Sequence, residues 1–211
     1  GLLFDPEHYK APLFDPTAPR NTSHAAQALR DQARLRGREW MRAVTGAYPG
    51  LVLFMPYGYQ LARAHPQYAL FTSFLDGVYD AAGEGVTIVD GWEFAYGYKT
   101  RAQFAAGYRT ITSDGAAQTA APVRYRAANR AGFGLWLDYG SDRRPWNVDD
   151  VTRNHFTPTE FERAVRSALE ATDGYVWIYS QQPRWWTNER LPAAYVEALR
   201  NARAAGGARS P

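Results

Sequence analysis

Five acidic residues stand where apolar segments of the sequence give out. Leu2-Leu3-Phe4-Asp5-Pro6-Glu7, Val86-Thr87-Ile88-Val89-Asp90-Gly91-Trp92-Glu93 and Phe133-Gly134-Leu135-Trp136-Leu137-Asp138-Tyr139 each run from apolar residues into acid. Asp5 and Glu7 are two apart, so a strand continuing through them turns both side chains the same way. Like-charge repulsion with partial burial raises the pKa of one member of such a pair, which suits a general acid. Glu7 lies further along the segment and is the better proton donor, with Asp5 orienting it. Asp90 and Glu93, set among Trp92, Phe94, Tyr96 and Tyr98, form a second cluster, and Asp138 is a third candidate. Each has a plainer reading: Asp5-Pro6 as a strand stop with Glu7 in water, Asp90-Gly91 as a turn, Asp138 as a cap or a partner of Arg143 or Arg144. Paired carboxylates, roughly 5 Å apart for retention or 6.5–9.5 Å for inversion, are the machinery of glycoside hydrolysis. Carboxylates on different strands can meet either separation.

Aromatic residues make up 15% of the chain, and those near polar strand ends could stack on sugar rings. Tyr57, Trp92, Trp177, Tyr179, Trp185 and Trp186 are the candidates for substrate binding. Trp177 alternates with Tyr175 and Tyr179, which places the three on one strand face. Trp185 and Trp186 are adjacent in a loop, an arrangement that calls for either substrate or packing against further protein. His8, His24, His65 and His155 show no short-spacing metal motif, and no metal site is assigned. A Gly-x-Ser-x-Gly nucleophile segment is absent, as are the Gly-x-Gly-x-x-Gly and phosphate-loop motifs of nucleotide binding. No organic cofactor is implied.

The elements that must hold these residues alternate. Apolar runs at about 2–6, 51–55, 86–90, 134–138 and 175–179 read as buried strands. Helical patterns lie between them: one capped by Thr22 or Ser23 and running towards Ala47, then about 67–82, Thr100 to about Ile111, and Pro122 to about Arg130. A further helix opens at Thr157-Pro158-Thr159-Glu160 and ends near Ala171, and a last one begins near Pro192. The order βαβαβααβαβα implies a parallel sheet with helical connections. A doubly wound sheet is possible. The acidic and aromatic strand ends, followed by long loops, favour an α/β fold of the (β/α)8 TIM-barrel type, whose active sites are built at the C-terminal strand ends. Five units are three short of eight, so the expectation is the C-terminal portion, strands four to eight, of a single barrel domain over 1–211. The missing strands would come from the same polypeptide or a companion chain.

Composition excludes several partners. Lys and Arg together number 24, and only Lys10 and Lys99 are lysines, against 21 acids. The arginines are scattered among acids without a block of like charge, which argues against nucleic-acid binding. There is no apolar run of the roughly 18 residues needed to cross a membrane. Cysteine is absent, removing thiolate chemistry and disulfides. Asn21-Thr22-Ser23 fits the glycosylation pattern, a cheap match. Localisation stays open, leaning towards a secreted or periplasmic protein.

Together these segments resemble the C-terminal half of glycoside-hydrolase-type TIM barrels, and in particular uncharacterised bacterial members of that superfamily. The shared segments are Phe4-Asp5-Pro6-Glu7-His8-Tyr9, Val89-Asp90-Gly91-Trp92-Glu93 and Val176-Trp177-Ile178-Tyr179 followed by Trp185-Trp186. The resemblance implies an acid at the end of strand four, where Glu7 falls. In the group with a retaining pair on strands four and seven, the strand-seven residue is Glu, and here the nearest match is Asp138. Asp5, Glu7 and Trp177 are compatible with the chitinase-like group, whose longer acidic-Gly signature is not visible. Gln181 stands where a Glu is expected. The leading expectation is a hydrolase of poly- or oligosaccharides, Glu7 donating the proton and Glu93, Asp90 or Asp138 acting as nucleophile or base. The alternatives are a non-catalytic carbohydrate-binding barrel and a metal-dependent barrel hydrolase or isomerase.

Overall fold

A computed structural model describes residues 1–8 and 13–206. In chain order its strands are β1 (Leu2–Leu3), β2 (Val52–Met55), β3 (Thr87–Asp90), β4 (Asn129–Trp136) and β5 (Tyr175–Tyr179). The helices are α1 (Ala26–Ala47), α2 (Gln60–Ala64), α3 (Ala69–Ala81), α4 (Arg101–Arg109), α5 (Gly115–Gln118), α6 (Pro122–Ala128), α7 (Pro158–Ala171) and α8 (Ala193–Gly206). The chain forms two compact units, Gly1–Gly91 with Arg109–Arg130, and Trp92–Tyr108 with Ala131–Pro211. Both are α/β with parallel strands, the architecture that the alternating pattern implies. Among the described residues no helix is long and apolar enough to cross a membrane.

In the first unit β1, β2 and β3 pair in chain order, with Leu2 opposite Leu53, Leu3 opposite Phe54, and Met55 opposite Asp90. Alternation sends Leu53, Met55 and Ile88 into a core with Phe71, Leu75 and Val78 of α3. Helices α1 and α3 cross backbone to backbone. A Cβ on Gly77 would lie 1.9 Å from the Arg34 carbonyl oxygen, and one on Gly37 would lie 2.0 Å from that of Phe74. The crossing also brings Arg34 and Arg38 to Asp80, at 2.7 and 3.2 Å. These guanidiniums hold the Asp80 carboxyl below its ordinary range.

In the second unit β4 and β5 pair in parallel, with Gly134 opposite Trp177 and Trp136 opposite Tyr179. Phe133 on one face of β4 meets Phe104 of α4 at 5.3 Å. Helix α7 begins as expected: Thr157 and Glu160 form a reciprocal capping box and Pro158 occupies the first turn.

Three boundaries depart from expectation. Strand β1 stops at Leu3 rather than near residue 6, because Asp5 Oδ1 accepts the Glu7 backbone N–H at 2.9 Å and turns the chain. Helix α1 opens at Ala26 behind an Ala25 cap without side-chain bonding. Thr22 instead donates its hydroxyl to the Pro19 carbonyl in a preceding turn. Strand β4 spans Asn129–Trp136 where about 134–138 is expected: it starts as soon as α6 ends at Ala128, short of the expected helix end at Arg130, and it stops before Asp138.

Candidate functional site

The register of β4 on β5 puts Gly132, Gly134 and Trp136 on one face with Tyr175, Trp177 and Tyr179. Gly134 is needed there: a Cβ on it would fall 2.6 Å from the Trp177 indole, which therefore lies over the bare backbone. The opposite face, with Phe133 and Leu135 fully buried, is aliphatic and phenyl. One sheet of two strands thus has an oily face and an aromatic face with polar edges.

Tyr96 lies across the aromatic face. Its ring stacks on Tyr179 at 5.6 Å and 17°, and meets Trp136 and Trp177 edge-on at 5.8 and 5.4 Å. These are the offset and T-shaped geometries that the ring quadrupole favours. The segment that delivers Tyr96 begins with Trp92 in the left-handed region at φ 41°, an outlier for so bulky a residue. Glu93 follows at the start of a short 3-10 turn, Glu93–Ala95. The Tyr96 carbonyl then accepts the Trp136 N–H at 3.1 Å, fixing the segment beside β4. Trp92 itself is buried, its indole N–H 3.4 Å from the Tyr98 hydroxyl and its ring against Phe94. Backbone strain of this kind persists only when surroundings over-determine it, and it concentrates at working sites.

Tyr139 extends the aromatic series, edge-on to Trp136 at 5.4 Å and to His155 at 4.7 Å. His155 Nε2 lies 3.1 Å from the Gly97 carbonyl, a geometry in which the N–H donates. Burial holds the imidazole pKa below the ordinary histidine value, which the bond to Gly97 partly offsets.

Asp138 is 2% exposed. Its Oδ1 accepts the Trp136 indole N–H at 2.8 Å and the Gln181 backbone N–H at 2.9 Å, and its Oδ2 accepts the Gln182 N–H at 3.0 Å. The carboxylate therefore clamps the loop after β5 to the end of β4, with Ser141 donating to Gln181 Oε1 as a further tie. No ion pair to Arg143 or Arg144 is involved in these bonds.

Asp90 is 3% exposed and lies in the first unit. Strand parity places it with Ile88 on the helix-packed face. Gly58 has room for no side chain because the Asp90 Oδ2 would lie 2.0 Å from its Cβ. Burial raises the phenol pKa values of Tyr79 and Tyr125, and the Asp90 charge adds to both. Tyr59 is raised in the same way by burial and then by Asp76, which accepts its hydroxyl at 2.9 Å.

Asp5 is exposed and Glu7 half-buried in the segment after β1. The shared-face argument for this pair does not apply, since the strand has ended and Asp5 bonds the Glu7 backbone instead. Tyr57 is half-buried against the first unit's core. Trp185 turns inward, its ring stacked on Phe161 at 6.5 Å and 28°. Trp186 points out and is 99% exposed.

Of the sequence-derived set, Trp177 and Tyr179 share the aromatic face and Asp138 bonds the Trp136 indole at its edge; Glu93, Trp92, Trp185 and Trp186 lie elsewhere in the second unit, and Asp5, Glu7, Tyr57 and Asp90 in the first. Tyr96, Trp136 and Tyr139 join the aromatic face without having been singled out for binding. For Trp136 the signal was the Gly-x-Gly-x-Trp alternation of β4 matching Tyr-x-Trp-x-Tyr of β5; Tyr96 and Tyr139 lie outside the strands and had no such signal. Among the described residues no group of three or more His, Cys, Asp or Glu is placed to hold a metal ion. No family model, no curated protein and no solved structure matches the chain.

Proposed function

We propose that the chain is part of a (β/α)8 barrel that binds a poly- or oligosaccharide and hydrolyses its glycosidic bonds. The observation that carries this reading is the aromatic face of β4 and β5. A face lined by Trp136, Trp177 and Tyr179, freed of bulk by Gly132 and Gly134 and crossed by Tyr96, suits the apolar face of a pyranose ring. The contrast between the two faces of this sheet is that of a barrel wall, with helices outside and the site inside. Glu93, at the start of the turn that delivers Tyr96, is the proposed acid or base of this unit, and Glu7, in the first unit, is tested separately as proton donor.

A second reading, saccharide binding without catalysis, is favoured by Asp138, whose three donors employ both carboxylate oxygens in holding loops. The test uses the full chain against cello-, xylo-, malto- and chito-oligosaccharides, followed by calorimetry and by release of reducing ends. Binding with cleavage that is lost in Glu93→Gln or Glu7→Gln supports hydrolysis. Binding without cleavage selects the second reading. No binding to any of them refutes both.

A further inference from the structure

The loop after β5 holds its two tryptophans in opposite ways. Trp185 is packed on Phe161, whereas the Trp186 side chain meets only solvent, at 99% exposure. The loop that presents Trp186 is braced at several points. Its base, Gln181 and Gln182, is bonded to Asp138. Ser180 Oγ donates to the Pro183 carbonyl at 2.9 Å, and the Arg184 N–H donates to the Glu189 carbonyl at 2.8 Å. Arg190 Nη2 donates to Gln182 Oε1 at 2.9 Å, and the Trp146 indole N–H donates to the Arg190 carbonyl at 2.8 Å. Asn188 and Arg190 are both held at positive φ, 57° and 53°. Non-glycine residues in that region cost energy that the surrounding bonds must offset.

A loop so constrained presents a bare indole at a fixed place, at the same strand ends as Tyr179 (37% exposed) and Tyr139 (42% exposed). The surroundings of Trp186 decide between partners. Arg184, Thr187, Asn188, Glu189 and Arg190 beside it are all exposed and polar. A protein interface needs a contiguous apolar centre inside a polar rim, and one indole does not provide it. A single flat apolar surface surrounded by donors and acceptors matches a sugar ring, which has an apolar face and a rim of hydroxyls.

We propose that Trp186 is an outlying subsite for an extended saccharide chain, engaged by sugars beyond those lying on the Trp136, Trp177 and Tyr179 face. This rests on the saccharide reading of that face and adds the substrate class: a chain of several sugars, held at two places. Affinity then rises with chain length through Trp186.

The test compares dimers and hexamers of the four oligosaccharide series above on the wild-type chain and on Trp186→Ala, a substitution at a fully exposed position that leaves folding unchanged. For the series that binds, the hexamer is expected to bind at least tenfold more tightly than the dimer to the wild type. In Trp186→Ala that advantage falls to threefold or less, with the dimer affinity unaltered. An unchanged hexamer-to-dimer ratio in the variant overturns the subsite and leaves the saccharide reading standing. Absence of binding by every member to the wild type overturns both.

Discussion

Asp138 separates a structural carboxylate from a catalytic one, and substitution there has a calculable outcome. In Asp138→Asn the side-chain carbonyl can keep the Trp136 and Gln181 donors, both of which bond Oδ1. The amide NH2 then faces the Gln182 N–H, which had bonded Oδ2 at 3.0 Å. One charge-assisted bond is lost and two donors are opposed, at a cost of about 1–3 kcal/mol. Asp138→Ala removes all three acceptor contacts from a site that is 2% exposed. Because the donors' burial is partial and the losses are not additive, we expect about 3–5 kcal/mol, a large share of a typical domain stability of about 5–15 kcal/mol. With a urea slope near 2 kcal/mol/M, Asp138→Asn lowers the unfolding midpoint by about 0.5–1.5 M, and Asp138→Ala lowers it further. The assay is urea unfolding followed by tryptophan fluorescence, with the slope checked for constancy. An Asn variant as stable as the wild type yet unable to cleave saccharide would refute the structural account and return Asp138 to the reacting groups.

Gly77→Ala should destabilise the first unit although Ala is the better helix former by about 1 kcal/mol. Its Cβ would sit 1.9 Å from the Arg34 oxygen where ordinary contact begins at 3.4 Å, so α1 and α3 must part by about 1.5 Å. We expect a net loss of about 1–3 kcal/mol in a thermal or urea melt. Gly46→Ala, also in α1 but with nothing within 4 Å of the new Cβ, should instead be neutral or stabilising, and equal effects at the two positions would sink the packing argument. His155 gives the second unit a pH dependence. Its folded pKa is depressed, so the unfolded chain binds the proton first as pH falls below about 6.5. Stability is therefore full above that value and declines on acidification until the folded pKa is passed. A urea midpoint that falls between pH 7.5 and 5.5 in the wild type, and less so in His155→Gln, is the expected result; equal slopes would exclude the imidazole as the source.

Much of the architecture is legible in the sequence. The runs at 51–55, 86–90 and 175–179 match β2, β3 and β5 within a residue, since β-rich apolar runs bounded by Gly and Pro have few other uses. Thr157-Pro158-Glu160 marked α7 because a capping box is a local, sequence-adjacent device. Boundaries set by competition were harder to see. Asp5 serves a turn because its carboxylate finds the Glu7 N–H, and Thr22 serves the Pro19 turn instead of α1. At the site, alternation correctly grouped Trp177 with Tyr175 and Tyr179. The role of Gly134 depends on interstrand register, and two of the three donors on Asp138 come from a loop 43 and 44 residues away, neither of which has a local signature. Asp90 shows a subtler limit. Its parity with Ile88 is plain from the sequence, but strands apolar on both sides do not disclose which side carries the helices.

That asymmetry of faces is what the proposed saccharide reading of the second unit rests on. Were both faces of β4 and β5 covered by helices, both would call for close apolar filling like Phe133 and Leu135. Glycines at 132 and 134 would then leave gaps, at a cost in lost contacts. The gap at Gly134 is filled instead by the Trp177 indole, and the neighbouring Trp136 and Tyr179 stay partly open. With Asp138 committed to both loops and Tyr96 pinned through its carbonyl to Trp136, the aromatic rings cannot readily shift to follow a ligand. Such a surface offers shape and apolar area and supplies little charge of its own. On the proposed reading any reacting group must be carried by a neighbouring segment, and Glu93 is the carboxylate of the turn that leads into Tyr96, three residues on and just after the strained Trp92.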